Sequence, residues 1–197
     1  MICSGNALTC HPETPCRDVR AISAAVQRTP DGAVAFAFTL DGNVDRLRIP
    51  SPGPSRRAHR LWQHTCCEAF IASPDAPGYY ELNFAPSGAW AVYAFQRYRE
   101  GTVLELDPTP AISVRRAAGR FELEAMIRLD RLPGRLASAP LRLGLSAVVE
   151  DEQGERSYWA LRHPPGQPDF HHPDAFALEL AATGGESVND PPAEARP

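Results

Sequence analysis

Residues 61 to 73, LWQHTCCEAFIAS, place an indole (Trp62), an imidazole (His64), two thiols (Cys66 and Cys67) and a carboxylate (Glu68) just before Phe70 and Ile71, which belong in a core. A second acid, Glu81, lies in YYELNF (79 to 84). In extended chain, alternate side chains share a face, which groups Cys66, Glu68 and Phe70 on one strand and Tyr79, Glu81 and Asn83 on the next. A short Pro/Gly connector makes these strands neighbours and brings same-face groups within cross-strand range. Two carboxylates and an amide inside a curved sheet are good acceptors for sugar hydroxyls. They are also what a glycosidase acid and base would require, given one raised pKa and a set separation. The plainer alternative is a solvated outer face, with the acids paired to Arg97 or Arg99.

Flat side chains suited to stacking on a sugar ring come from Trp62, Tyr98 and Trp159, while Trp90 sits in an aromatic strand with Tyr93 and Phe95 and suits a core. Trp62 follows an Arg- and Pro-rich loop, a position that favours the rim of a pocket. The loop RHPPGQPDFHH carries His163, Asp169, His171 and His172, which are divalent-metal donors by type. Its prolines more simply make a rigid closure over one end of the domain, and adjacent histidines in extended chain point to opposite sides. His64 lies two positions from Cys66, the weak outline of a base and a nucleophile. Buried, inert thiols are the commoner outcome. Cys3, Cys10 and Cys16 lack a C-x-x-C pair, and an axial haem ligand is hard to find, because Met126 falls on the polar side of its strand. No metal or cofactor is expected.

These groups must be held by strands. AVAFAFTL (33 to 40), RLRI (46 to 49), TCCEAFI (65 to 71), YYELNF, AWAVYAFQRYR (89 to 99), AISVRRA (111 to 117), RFELEAMIRL (120 to 129), LRLGLSAVVE (141 to 150), RSYWAL (156 to 161) and AFALELA (175 to 181) read as strands between turn dipeptides. LDRLPGRLA (129 to 137) offers one short helical turn. About ten strands without helical crossovers predict an antiparallel two-sheet β-sandwich, jelly-roll-like, over residues 17 to 181. Residues 1 to 16 read as an arm and 182 to 197 as a tail of disordered composition.

The 197 residues, 43% hydrophobic and 22% charged, support one well-packed domain. All 20 basic residues are Arg, scattered along a chain of net charge −4, which argues against a nucleic-acid surface. Neither a secretory leader nor a membrane span is legible, so a cytoplasmic location is expected. Five cysteines, an odd number, suit reduced thiols.

LWQHTCCEAFI followed by YYELNFAPSGAWAVYAFQRYREG resembles the DOMON-like domains related to family 9 carbohydrate-binding modules, and SYWALRHPPGQPDFHHPDAFAL is similar to the C-terminal signature of a bacterial subgroup of them. The resemblance covers residues 11 to 181. It implies a non-catalytic sandwich that binds a small molecule, with a sugar as the leading class; a haem-binding redox module and a glycan-processing enzyme are the alternatives. The candidate ligand contacts are Trp62, Glu68, Glu81, Asn83, Tyr98, Arg99 and Trp159.

Overall fold

The computed structural model describes residues 5–74, 76–105, 109–134 and 136–182. Strand β1 (Asn6–Cys10) leads into β2 (Val19–Arg28) and β3 (Ala33–Gly42), and far along the chain β9 (Ala111–Ala117) and β10 (Arg120–Arg128) complete that half of the sheet. β10 pairs with β3 from Arg120 opposite Asp41 to Arg128 opposite Ala33. This register puts Phe36, Phe38, Leu40, Phe121, Leu123 and Ile127 in the core and leaves Glu124 and Met126 in solvent, as a period of two requires.

The other half holds β4 (Arg56–Arg57), β5 (Cys66–Ala72), β6 (Tyr79–Phe84), β7 (Ala89–Arg97), β8 (Glu100–Val103), β11 (Leu141–Glu150), β12 (Arg156–Ala160) and β13 (Leu178–Leu180). Its inward face supplies Cys67, Ala69, Ile71, Leu82, Phe84, Val92, Leu143, Leu145 and Trp159 to the same core, and Phe84 meets Phe36 across it at 5.9 Å.

The architecture is all-β, and every pairing between strands is antiparallel except β4 with β7. The two separate sheets expected from the sequence are instead one curled sheet, a half-barrel with an eleven-strand path β4-β7-β6-β5-β11-β12-β1-β2-β3-β10-β9. The reason is β1, which gives Asn6–Leu8 to β2 and Thr9 and Cys10 to β12. The segment expected as an arm therefore supplies the strand that joins the halves. β2, rich in alanine, is not among the strands expected from the sequence, although the turn through Asp31 and Gly32 that opens β3 also closes β2. Where RLRI was expected to be a strand, residues Val44–Arg46 form a 3-10 turn and only Leu47 bridges, to Asp151. The strand expected over 89 to 99 stops at Arg97, and Tyr98 and Arg99 make the turn into β8. The helical signal at 129 to 137 yields a 3-10 turn, Leu129–Arg131. The expected tail lies, beyond Ala182, outside the described residues. Among the described residues no helix is long and apolar enough to cross a membrane.

After β12 the chain crosses the outer face of β11, β5 and β6, and Phe170 and Phe176 pack there with Phe70, Val148 and Ala160 in a second apolar cluster. Gly144 on β11 permits this, since a Cβ there would lie 3.2 Å from the Ala175 carbonyl oxygen. β5 is consequently buried on both faces.

Phe36 fills the space between the two halves and is fully buried. Phe36→Ala is expected to cost about 3–5 kcal/mol, read from urea unfolding; a loss below about 1 kcal/mol would mean that the halves do not share one packed core.

Candidate ligand-binding site

Between the crossing segment and the turn before β5 lies a cavity of about 320 Å³, lined by Trp62, Glu68, Glu81, Tyr93, Phe95, Arg99, Tyr158 and Phe170 among others. Its floor is the outer face of β5 and β6. Glu68 stands opposite Ser146 on one side and Asn83 on the other, and Glu81 lies two positions along β6 from Asn83. The cross-strand grouping of Glu68, Glu81 and Asn83 read from alternation is the one the sheet makes.

Glu68 is 2% exposed and Glu81 5%. No described protein group pairs with Glu68 Oε1 or with Ser146 Oγ, its neighbour across the strand. Burial lifts the Glu68 carboxyl well above the usual carboxylate range, and the nearby Glu81 charge lifts it further. Glu81 is raised to about 6 by burial, against the lowering effects of Asn83 and Arg99. Asn83 Nδ2 donates to Glu81 Oε1 at 2.6 Å, and the Cys66 thiol donates to Asn83 Oδ1 at 3.5 Å. Asn83 is thus engaged through both its oxygen and its nitrogen beneath the cavity and positions Glu81.

His171 reaches the floor from the crossing segment. Its Nδ1 lies 2.9 Å from the Tyr79 hydroxyl and its Nε2 is 3.6 Å from Glu81 Oε2. Burial, reinforced by Arg99, depresses its pKa to about 4. The imidazole is therefore neutral near neutral pH, and the contact is not an ion pair despite its proximity. Arg99 donates through Nη2 to Asp169 Oδ1 at 2.8 Å and through Nε to the Tyr98 hydroxyl at 3.2 Å. The Tyr98 hydroxyl donates to Asp169 Oδ2 at 2.5 Å. This triad clamps the β7–β8 turn to the crossing segment, so Tyr98 supports Arg99 from outside the lining.

Aromatic groups form the wall. Tyr79 and Phe95 stack at 4.7 Å with planes 5° apart, and a Cβ on Gly101 would strike the Phe95 ring at 2.5 Å, so glycine lets β8 pass over it. Trp62, 38% exposed at the rim, meets Tyr93 edge-on at 5.7 Å. Trp62 sits on the 3-10 turn Leu61–Gln63, entered through Arg60 at φ 56°, and Arg99 has φ 57°. Left-handed backbone at a residue other than glycine costs about 1–3 kcal/mol. These are the two such residues among those described: Arg99 lines this cavity, and Arg60 leads into the turn that carries Trp62.

Of the seven expected contacts, Trp62, Glu68, Glu81 and Arg99 line the cavity, while Asn83 and Tyr98 hold lining groups in place. Trp159 does not reach it. It is 6% exposed in the main core, with its indole N–H on Ser157 Oγ at 3.0 Å, because on β12 it is Tyr158 that faces outward. The metal donors are dispersed: His163 Nε2 is 2.8 Å from the Thr9 carbonyl, Asp169 holds Arg99, and His171 faces Tyr79. Among the described residues no three His, Cys, Asp or Glu side chains are grouped to hold a metal ion. His64 contacts Glu150 at 2.7 Å and not Cys66, and burial pushes both the Cys66 and Cys67 thiols up, away from reactive thiolate. Met126 is exposed on β10, in the other half of the sheet. Tyr93, Phe95, Tyr158 and Phe170 escaped the sequence reading as lining groups. Strand parity marks Tyr93 and Phe95, which share a face of β7 with Tyr93 opposite Glu81, and nothing local marks Tyr158 or Phe170.

No protein-family model matches the sequence, and no curated protein matches it. Among solved structures, the chain is similar to a candidate carbohydrate-binding protein from Bacteroides uniformis, at TM-score 0.56 and 13% identity over 88% of this chain and 81% of the other. It is also similar to a family 9 carbohydrate-binding module from Caldicellulosiruptor kristjanssonii in complex with cellotriose, at TM-score 0.50 and 13% identity over 83% and 74%. The fold is thus similar to that of a family 9 carbohydrate-binding module.

Both carboxyls are raised in the folded state, so their contribution to stability is full below about pH 4.5 and is lost as pH rises, through about 6 for Glu81 and higher for Glu68. His171, depressed, acts oppositely: its contribution is present above its ordinary 6.5 and is lost as pH falls through about 4. Glu68→Gln is accordingly expected to raise the unfolding midpoint at pH 8 and to leave it nearly unchanged at pH 4, in thermal melts at both pH values. A midpoint lowered at pH 8 would show that ionised Glu68 stabilises the fold.

Proposed function

We propose that this cavity binds a sugar and that the domain is a non-catalytic binding module. The observation that carries the reading is the pairing of an exposed indole at the rim with a buried carboxyl at the floor whose Oε1 has no partner among the described residues. A sugar ring has the complementary anatomy: an apolar C–H face for Trp62 and a rim of hydroxyls for Glu68, Glu81 and Arg99. A protonated Glu68 donates as well as accepts, whereas ionised Glu81 only accepts. The volume is at the small end of ligand sites, which run to about 300–1,000 Å³, and suits a single ring or a chain end. The kinship in fold to carbohydrate-binding modules supports the same class. For a domain at work in the cytoplasm, the ligand would be a free or nucleotide-linked sugar in place of a polysaccharide.

One observation favours an enzymatic second reading: two carboxyls share one floor and burial raises both, as a general acid requires. Aryl glycosides distinguish the two, since a binding module leaves them intact.

Calorimetric titration with a panel of monosaccharides and cello-oligosaccharides tests the proposal. At least one sugar is expected to bind, with Trp62→Ala and Glu81→Gln each weakening it by about ten- to a hundredfold. Binding that both variants retain unchanged would place the sugar elsewhere.

A further inference from the structure

On the other side of the Leu61–Gln63 turn lies a second, larger cavity of about 630 Å³, which the sugar reading does not use. Its lining includes Arg48, Arg56 and Arg60 with His59 and His64, and a single acid, Glu150. Glu150 is 5% exposed and already committed: Oε1 accepts from Arg48 Nη1 at 2.9 Å, and Oε2 lies 2.7 Å from His64 Nδ1. Arg48 also donates to the Glu152 carbonyl at 2.9 Å. Among the described residues no acid pairs with Arg56, Arg60 or His59, so the cavity presents surplus positive charge in a chain that is acidic overall.

That charge is set on fixed backbone. Arg56 N–H donates to the Gly88 carbonyl at 3.3 Å, Ala58 N–H to Trp90 at 3.0 Å and Gly53 N–H to Ser87 at 3.1 Å, which lash the Pro- and Arg-rich segment to the start of β7. The approach needs Gly88, at φ +80°, where a Cβ would fall 2.6 Å from the Gly53 carbonyl oxygen. In β4 alternate side chains diverge, so Arg57 lies over the Trp90 ring while Arg56 turns to the cavity. Arg60 occupies left-handed backbone. Thr65, also in the lining, anchors β11 by accepting from Glu150 N–H at 3.0 Å. Leu47, Ile49 and Leu61 add an apolar side.

Guanidinium groups held on rigid backbone beside an apolar wall match a planar or tetrahedral oxyanion carried by a small organic body. We propose that this cavity is a separate anion site that binds the phosphate or carboxylate group of a small metabolite, with Arg56, Arg60 and His59 as its contacts. The site stands independently of sugar binding in the first cavity.

The test is NMR titration of the full chain at low ionic strength with inorganic phosphate, glucose 6-phosphate, glucuronate and uncharged glucose, following the Arg56 and Arg60 side-chain N–H signals. Phosphate and glucose 6-phosphate are expected to shift these signals if the natural group is a phosphate, and glucuronate if it is a carboxylate; glucose leaves them in place. Arg56→Gln should weaken the oxyanion about tenfold. Ser87→Asp, which keeps a side-chain acceptor for Ala89 N–H while adding a carboxylate to the lining, should weaken it at least as much without touching Arg56. The proposal is overturned if none of the oxyanions moves the arginine signals, or if both variants bind them as tightly as the natural sequence.

Discussion

The arrangement depends on one constraint: β5 and β11 are covered on both faces. The inward face belongs to the main core, and the outward face is roofed by the segment after β12 through Phe70, Phe170 and Phe176. Phe70 is the hub, with ring contacts to Tyr79, Phe170, His171 and Phe176. A buried aromatic of this kind contributes about 1.5–3 kcal/mol, enough to offset one unpaired buried polar group at about 1–3 kcal/mol. Remove the roof, and Glu68 and Glu81 become ordinary exposed acids on a sheet surface.

Under the roof, electrostatics invert the usual preference for ionised carboxylates. Glu68 and Glu81 retain protons to higher pH than in water while His171 beside them loses its proton sooner, each shift arising from the cost of charge in a dry site. Arg99 opposes this for Glu81 and reinforces it for His171, which explains why the clamp of Arg99 with Tyr98 and Asp169 matters beyond its geometry. The resulting surface mixes hydrogen-bond donors and acceptors. The second cavity, across the Trp62 turn, has the opposite character, with fixed positive charge.

Much of the acidic floor was legible because strand alternation is local information: the parity of Glu68 against Cys66 and of Glu81 against Asn83, plus a short connector, suffices to align them. Trp159 was misplaced for the complementary reason. β12 is buried on both sides, so nothing in SYWA tells which aromatic faces the core and which the roof. The single curled sheet was also beyond local reading, since it depends on β1 pairing with a strand far along the chain, as in Thr9 opposite Ala160. His171 was noticed as a metal donor, but its true neighbours, Tyr79 and Glu81, become visible only once the roof is in place.

The central claim is that Glu68 and Glu81 share a roofed, poorly solvated floor open to a polar ligand. Carboxyl-carbon NMR of the two side chains across pH 3 to 9 tests it most directly. The account predicts that Glu81 titrates near 6 and Glu68 well above the ordinary 4.5, and that a bound sugar moves both. Two simple titrations at the ordinary value, unmoved by any sugar, would contradict it.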